Sequence, residues 1–297
     1  MQKRTNILFI INPISGGTRK SRVPALIDRY LDKARYNPNF RFTEHRGHAA
    51  ELADEALRKQ FDILVAVGGD GTINEVAGKV MEHGKTLGII ALGSGNGLAR
   101  FLQIPLDPKK AIQSLNTGRE LAVDTAVFND RVFFNMAGMG FDAHLSSVFA
   151  EEKGRGLLGY LRQGLAEIGT YGSKHYQISV DGKAYVREAF AISIANSSQY
   201  GNNVFIAPQA SVTDGLLEVC IIKPFPLRRL PEIAWVMLRR KAHTSDLIEI
   251  ISGKEILISR DTEAAVHIDG EPLYMGKDLH ISVRPASLNI IVPNHTL

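Results

Sequence analysis

Gly68-Gly69-Asp70-Gly71-Thr72-Ile73-Asn74-Glu75 follows an unbroken apolar run, Ile63-Leu64-Val65-Ala66-Val67, and that junction decides the fold. A short continuous apolar run suits a strand buried on both faces of a parallel sheet. Two glycines then free the backbone for a tight turn, and Asp70 projects a carboxylate. Thr72 and Glu75 have the Thr-x-x-Glu spacing of a capping box, so a helix is expected to begin near Thr72. The unpaired N–H groups and positive dipole end of such a helix attract an anion. Asp70 beside them could hold magnesium or accept the proton of an attacking hydroxyl.

Outward from this turn the chain repeats the same grammar. Asn6–Ile11 and Leu87–Ala91 are further buried strands, and two apolar faces at helical spacing lie between them: Val23, Leu26, Ile27, Tyr30, Leu31 and Ala34, then Ala49, Leu52, Ala53, Ala56 and Leu57. Asp107 before Pro108 reads as a helix N-cap, with Ala111, Ile112 and Leu115 as the apolar face and Gly118 as the stop. Strands alternating with helices give a parallel sheet. After about Val123 the chain turns to strand runs punctuated by hairpin signals at Asn129-Asp130, Asp181-Gly182 and Asp269-Gly270, with helical patterns only at Leu157–Tyr171 and Leu230–Leu238. A chain of 297 residues is long for one core. The expected fold is therefore α/β, with a Rossmann-like three-layer domain over residues 1–122, to which the C-terminal strand is free to return, and a β-sandwich-like domain over residues 123–297.

Composition narrows the setting. One cysteine, Cys220, excludes an intrachain disulfide and fits a reducing cytoplasm. Ile7–Ile11 is too short for the core of a signal peptide, and no run approaches the roughly 18 apolar residues of a spanning helix, so membrane contact is expected to be peripheral. A net charge of +4 favours anionic partners. The basic residues are dispersed and no nucleic-acid recognition motif is present, so nucleic acid is not expected among them.

Two more glycine-rich segments follow predicted strands, where open α/β sheets place their ligands. Asn12-Pro13-Ile14-Ser15-Gly16-Gly17 offers backbone N–H groups that can approach phosphate without a Cβ clash. Leu92-Gly93-Ser94-Gly95-Asn96-Gly97 puts a hydroxyl among glycines and is not a Walker A loop, which ends in Gly-Lys-Ser/Thr. Three such loops suit phosphoryl transfer, which is mostly positioning and charge stabilisation.

These segments, in this order, resemble the nucleotide motifs of the diacylglycerol kinase-like lipid kinases, a family that includes bacterial lipid kinases and the sphingosine and ceramide kinases. The resemblance continues through Asn135-Met136-Ala137-Gly138-Met139-Gly140-Phe141-Asp142-Ala143, Ile206-Ala207-Pro208, Asp214-Gly215-Leu216 and Asp269-Gly270-Glu271. It implies an NAD kinase/diacylglycerol kinase-like fold, ATP and Mg2+ as cofactors, and a lipid hydroxyl, diacylglycerol-like or sphingoid, as acceptor. Asn12, Ser15, Gly16, Thr43, Gly68, Gly69, Asp70, Gly71, Thr72, Ile73, Asn74, Glu75 and Ser94 match nucleotide contacts, and Arg155, in Glu152-Lys153-Gly154-Arg155, matches a basic segment that reaches phosphates. Glu271 resembles the residue assigned as catalytic, whereas in sphingosine kinases the matching base is the carboxylate at Asp70. Our expectation gives Asp70 the substrate proton and Glu271 the magnesium and phosphate, with the reverse assignment open and Asp124 orienting either group. Ser211, Asp214 and Leu216 match an oxygen-only site suited to magnesium.

Ser94 and Asn96-Gly97 stand where diacylglycerol-kinase-type members carry Thr and an Asn-Asp pair. Ser146 falls near the acidic residue that sphingosine kinases use for the sphingoid amine, and Asp142 is out of register with it. Leu227–Lys241 combines five basic residues with the lone Trp235, which suits an anionic interface, although its apolar stripe also suits packing on a sheet. The rival readings are an NAD kinase and a nucleotide-sensing regulator joined to a partner protein. A homodimer is compatible with all of them.

Overall fold

The computed structural model describes residues 4–14, 22–59, 61–151 and 167–296. The expected contacts Ser15, Gly16 and Arg155, and most of the helix expected over Leu157–Tyr171, lie outside these residues. The chain divides into two compact units, Met1–Asp124 with Pro285–Leu297, and Thr125–Arg284.

The first unit is built on parallel strands in the order β2 (Tyr36–Phe42), β1 (Thr5–Ile11), β3 (Ile63–Gly68), β4 (Thr86–Ala91), continued by the end of the last strand of the chain. Every residue of β3 and β4 is buried, as apolar runs covered on both faces require. The helices are α1 (Val23–Tyr30), α2 (His48–Arg58), α3 (Asp70–Glu82), the short α4 (Gly97–Phe101) and α5 (Pro108–Thr117). Val23 and Ile27 of α1 join Ala111, Ile112 and Leu115 of α5 in one cluster against Phe9, Val65 and Val67. The Asp107 cap forms, its Oδ1 accepting the Lys110 N–H at 3.0 Å.

Two expectations are corrected here. Helix α1 stops at Tyr30 instead of running to Ala34, because Leu31 turns extended (ψ 138°) and is itself buried. Helix α3 begins at Asp70 with Gly69 as N-cap, so Thr72 is inside the first turn and no capping box forms.

Strand β5 (Arg119–Phe128) carries the chain into the second unit, where β6 (Arg131–Phe133), β7 (Met136–Gly140), α6 (Phe141–Glu151), β8 (Lys174–Val180), β9 (Lys183–Ala189), β10 (Ala191–Ala195), β11 (Gln199–Gly201), β12 (Val204–Phe205) and β13 (Leu217–Ile222) follow. Helix α7 (Leu230–Leu238) precedes β14 (Ile248–Gly253), β15 (Glu255–Arg260), β16 (Ala264–Ile268), β17 (Glu271–Met275) and β18 (Asp278–Val292). The antiparallel order β14-β13-β10-β7-β16-β17 makes one layer; β15, paired with β8 and with the start of β18, belongs to the other. Side chains of both layers meet in one core, Met139, Ile192, Val219 and Val266 with Tyr176, Ile178, Ile256 and Ile281. The three hairpin signals fall between paired strands, and Asp181-Gly182 and Asp269-Gly270 both have positive φ at each residue, as a two-residue turn of the primed type demands. Among the described residues no helix is long and apolar enough to cross a membrane.

Candidate active site

Parallel strands β1, β3 and β4 deliver their loops to one edge of the sheet, and the strand order reverses between β1 and β3, the crevice where such sheets hold ligands. Asn12 leaves β1 with its N–H on the Val67 carbonyl, and its side chain donates to Thr72 Oγ1 at 3.1 Å, tying the first loop to the first turn of α3. The second and third loops meet backbone to backbone. A Cβ on Gly93 would sit 2.7 Å from Gly69 Cα, and a Cβ on Gly95 would sit 3.0 Å from Asp70 Oδ2, so glycine is required at these close approaches.

Asp70 closes the contact. Its Oδ2 accepts the Asn96 N–H at 2.8 Å and its Oδ1 the Gly97 N–H at 3.0 Å, so both oxygens hold the backbone of the third loop. Asn96, left-handed at φ 52°, folds its amide onto the Gly93 N–H and carbonyl. Arg100 Nε donates to the Gly95 carbonyl at 2.9 Å. The result is a rigid rim whose outer surface is Gly69, Asp70, Gly71, Gly93, the exposed Ser94 and Gly95. Helix geometry leaves the first N–H groups of α3, which begins at this rim, without intrahelical partners.

The remaining expected contacts fall differently. Ile73 turns its side chain into the core (1 % exposed) and spends its N–H on the Gly69 carbonyl, which makes it a packing residue. Glu75 is committed elsewhere, Oε1 accepting the Gly47 N–H and Oε2 the Ala49 N–H, each at 3.0 Å, so it caps α2 and not its own helix. Glu75→Ala is therefore expected to cost about 1 kcal/mol of stability in urea unfolding while leaving the Michaelis constant for nucleotide unchanged; an unaltered midpoint would remove the capping role. Thr43 is buried beside the end of β1, its N–H on the Ile11 carbonyl. Nearby, ligand atoms of His45, His48 and Glu51 lie within 4.8 Å of one another. His48 Nδ1 accepts the Glu44 N–H, which puts the ring proton on Nε2 and leaves that imidazole no lone pair for a metal.

Asp124, on β5, is buried and its Oδ1 accepts the Ala286 N–H at 2.7 Å. Ala286 is left-handed at φ 48°, so Asp124 pins an unfavourable backbone conformation in β18. In the second unit Glu271 is exposed at the start of β17. Asp214 Oδ1 accepts the Leu216 N–H at 3.0 Å and Ser211 Oγ pairs with Thr213 Oγ1 at 3.1 Å, so the segment forms a compact polar turn. Its donors are oxygen only, which fits magnesium.

Sequence reasoning missed two carboxylate functions. Asp269 does more than turn its hairpin: its oxygens accept the N–H groups of Phe134, Asn135 and Met136 at 2.8–2.9 Å. Asp142, expected only as part of a motif and out of register with a sphingoid-binding carboxylate, faces His267 Nε2 at 2.8 Å and accepts from Ser193 and Tyr200 at 3.1 and 3.0 Å. Gly138 makes the room, since a Cβ there would lie 2.5 Å from Asp142 Oδ2 and 2.6 Å from His267 Nε2. Burial works against the Asp142 charge, but the His267 imidazolium and the hydroxyl donors outweigh it and hold the carboxyl below its usual range. Burial likewise opposes a charged His267, and Asp142, with Asp269 behind it, pushes its pKa above the ordinary 6.5. Burial and the Asp142 charge keep Tyr200 a protonated donor. The glycine at the β7 position facing His267 was the available signal.

A family model described as the diacylglycerol kinase catalytic domain matches residues 6–128, and one described as the YegS C-terminal NAD kinase beta sandwich-like domain matches residues 135–292. The chain is 32% identical to a probable lipid kinase YegS-like protein of Klebsiella pneumoniae, with 85% of each covered. It is 28% identical to a diacylglycerol kinase of Bacillus subtilis, with 91% of this chain and 90% of the relative covered. The fold is that of a crystal structure of a putative diacylglycerol kinase from Bacillus anthracis, at a TM-score of 0.81, 23% identity and 99% coverage of both chains. Matched along both of its units, the chain belongs to the diacylglycerol kinase-like family of lipid kinases.

Proposed function

We propose that the enzyme transfers the γ-phosphate of Mg-ATP to the hydroxyl of a diacylglycerol-like lipid. The observation that carries this reading is the clamp between two glycine loops, in which Asp70 holds the Asn96 and Gly97 amides and Gly69 touches Gly93. It presents backbone N–H groups and a helix N-terminus on one rim, a preorganised seat for phosphate oxygens that costs no rearrangement on binding. Asn12, Thr72 and Ser94 contribute polar groups at its border.

Magnesium would neutralise phosphate charge as the bond to the β-phosphate breaks. Asp70 is the residue we assign to hold it, and Ser211, Asp214 and Leu216 form a second, structural oxygen site. A proton placed on either Asp70 oxygen would weaken that oxygen as an acceptor for the amide it holds. We therefore reverse the first expectation and assign the substrate proton to Glu271, exposed on β17.

The choice of acceptor is supported by a carboxylate that is already spoken for. Asp142 is engaged by His267, Ser193 and Tyr200, and Ser146 donates to the Asp142 carbonyl, so neither offers an open anion to a sphingoid ammonium. The relatives named diacylglycerol kinase support the same choice. Incubation with labelled Mg-ATP and a panel of diacylglycerol, monoacylglycerol, sphingosine, ceramide and NAD is expected to label diacylglycerol first. Label confined to the NAD product would overturn the assignment, and label confined to sphingosine would overturn the choice of lipid.

A further inference from the structure

Helix α7 sorts its residues by side. Ile233 and Val236 are buried in the cluster that contains Phe190, Cys220 and Leu247. Pro231, Ala234, Trp235 and Leu238, spaced i, i+3, i+4, i+7 and so on one face, are all exposed. Trp235 is 51 % exposed and Leu238 57 %, with Leu227 one turn earlier at 56 %. Of the stripe expected to pack on the sheet, Leu230, Ile233, Ala234, Met237 and Leu238, only Ile233 is buried and Leu230 and Met237 are partly so, while Ala234 and Leu238 lie on an outer, second apolar surface left in solvent.

The rim of that surface is positive. Arg228, Arg239, Arg240 and Lys241 are exposed, and Lys241 Nζ stands 5.7 Å over the Trp235 ring. The single acidic residue between Leu227 and Lys241, Glu232, is taken by Arg229, which also binds Asp246. Apolar side chains ringed by uncompensated cations match a bilayer whose headgroups are anionic. A second copy of the chain fits worse, because a two-fold contact sets the same cations against each other.

We propose that this face docks the protein on an anionic bilayer, with Leu227, Trp235 and Leu238 entering the acyl boundary while Arg228, Arg239, Arg240 and Lys241 meet lipid phosphates. The proposal rests on the reading of the acceptor as a bilayer lipid, and the test separates the two.

Trp235 is the only tryptophan, so its emission reports the contact in the unaltered protein. Vesicles of phosphatidylcholine with phosphatidylglycerol are expected to shift the emission to the blue, and brominated acyl chains to quench it, while phosphatidylcholine alone does neither. Arg228→Glu with Arg239→Glu is expected to lower co-sedimentation with the anionic vesicles by about a hundredfold, and Leu238→Ser to lower it by several-fold. The thermal midpoint and the phosphorylation of a short-chain diacylglycerol dissolved as monomer are expected to stay unchanged. A silent Trp235 in the presence of vesicles overturns the proposal, as does unchanged co-sedimentation of the variants. So does a fall in self-association with vesicle binding intact, which would make the face a contact between copies. Vesicle docking by an enzyme that labels no lipid would keep the surface and discard the acceptor.

Discussion

Asp142→Asn is expected to destabilise the second unit by about 3–5 kcal/mol near neutral and mildly acidic pH, followed in urea by Trp235 emission. The substitution removes the anion that faces His267 at 2.8 Å and leaves an imidazole buried at 4 % side-chain exposure without its counter-charge. His267 Nδ1 finds no hydrogen-bond partner among the described residues, and against the effect of burial the charges of Asp142 and Asp269 act to raise the pKa of the ring. Ser193 and Tyr200, which donate to the same Oδ2, keep at most a neutral amide oxygen as their acceptor. The pH dependence has a definite sign. His267 has a folded pKa above 6.5, so its contribution is complete below that value and is lost as pH rises through the folded pKa. Asp142 has a folded pKa below 3.8, so its contribution is complete above that value and is lost as pH falls through the folded pKa. The gap in stability between wild type and Asp142→Asn should therefore be widest between about pH 4 and about pH 6.5 and narrow towards about pH 9. A gap that stays constant across that range would mean the pair is not charged.

What the sequence made legible follows from which features are local. Buried strands β1, β3 and β4 announce themselves as apolar runs, and the Asp181-Gly182 and Asp269-Gly270 turns as dipeptides that tolerate positive φ. Strand β2 did not, because an edge strand carrying Asn37, Pro38 and Asn39 has no apolar run, and Pro38 can sit there only since one side of the strand needs no donors. The candidate site was legible as three loops but not as a clamp. The Thr72-x-x-Glu75 spacing predicts a local cap, yet Thr72 serves Asn12 and Glu75 serves α2, partners 60 and 26 to 28 residues away. Long-range hydrogen bonds of this kind leave no periodicity, and the same holds for Asp142 with His267, which only the fold brings together.

Asp70→Asn is expected to reduce kcat/KM by about a hundredfold or more, and the way the loss divides will tell what Asp70 does. Asparagine keeps one acceptor oxygen but turns an NH2 group towards either the Asn96 or the Gly97 N–H, two donors where a bond had been, and the third loop is released on that side. It also withdraws the charge assigned to magnesium. A clamp that holds a cation therefore predicts a higher Michaelis constant for ATP together with a lower kcat. Gly93→Ala provides the comparison, because it leaves the carboxylate intact while placing a Cβ 2.7 Å from Gly69 Cα and 2.8 Å from Asn96 Oδ1, so the two loops must part. It is expected to raise the Michaelis constant for ATP with the smaller effect on kcat. Glu271→Gln is expected to do the opposite, lowering kcat at an unchanged Michaelis constant for ATP, as loss of a proton acceptor does. Steady-state kinetics against ATP at saturating acceptor measures all three. If Asp70→Asn lowers kcat alone and Glu271→Gln is active, the proton goes to Asp70, and the hydrogen bonds to Asn96 and Gly97 serve to aim a base.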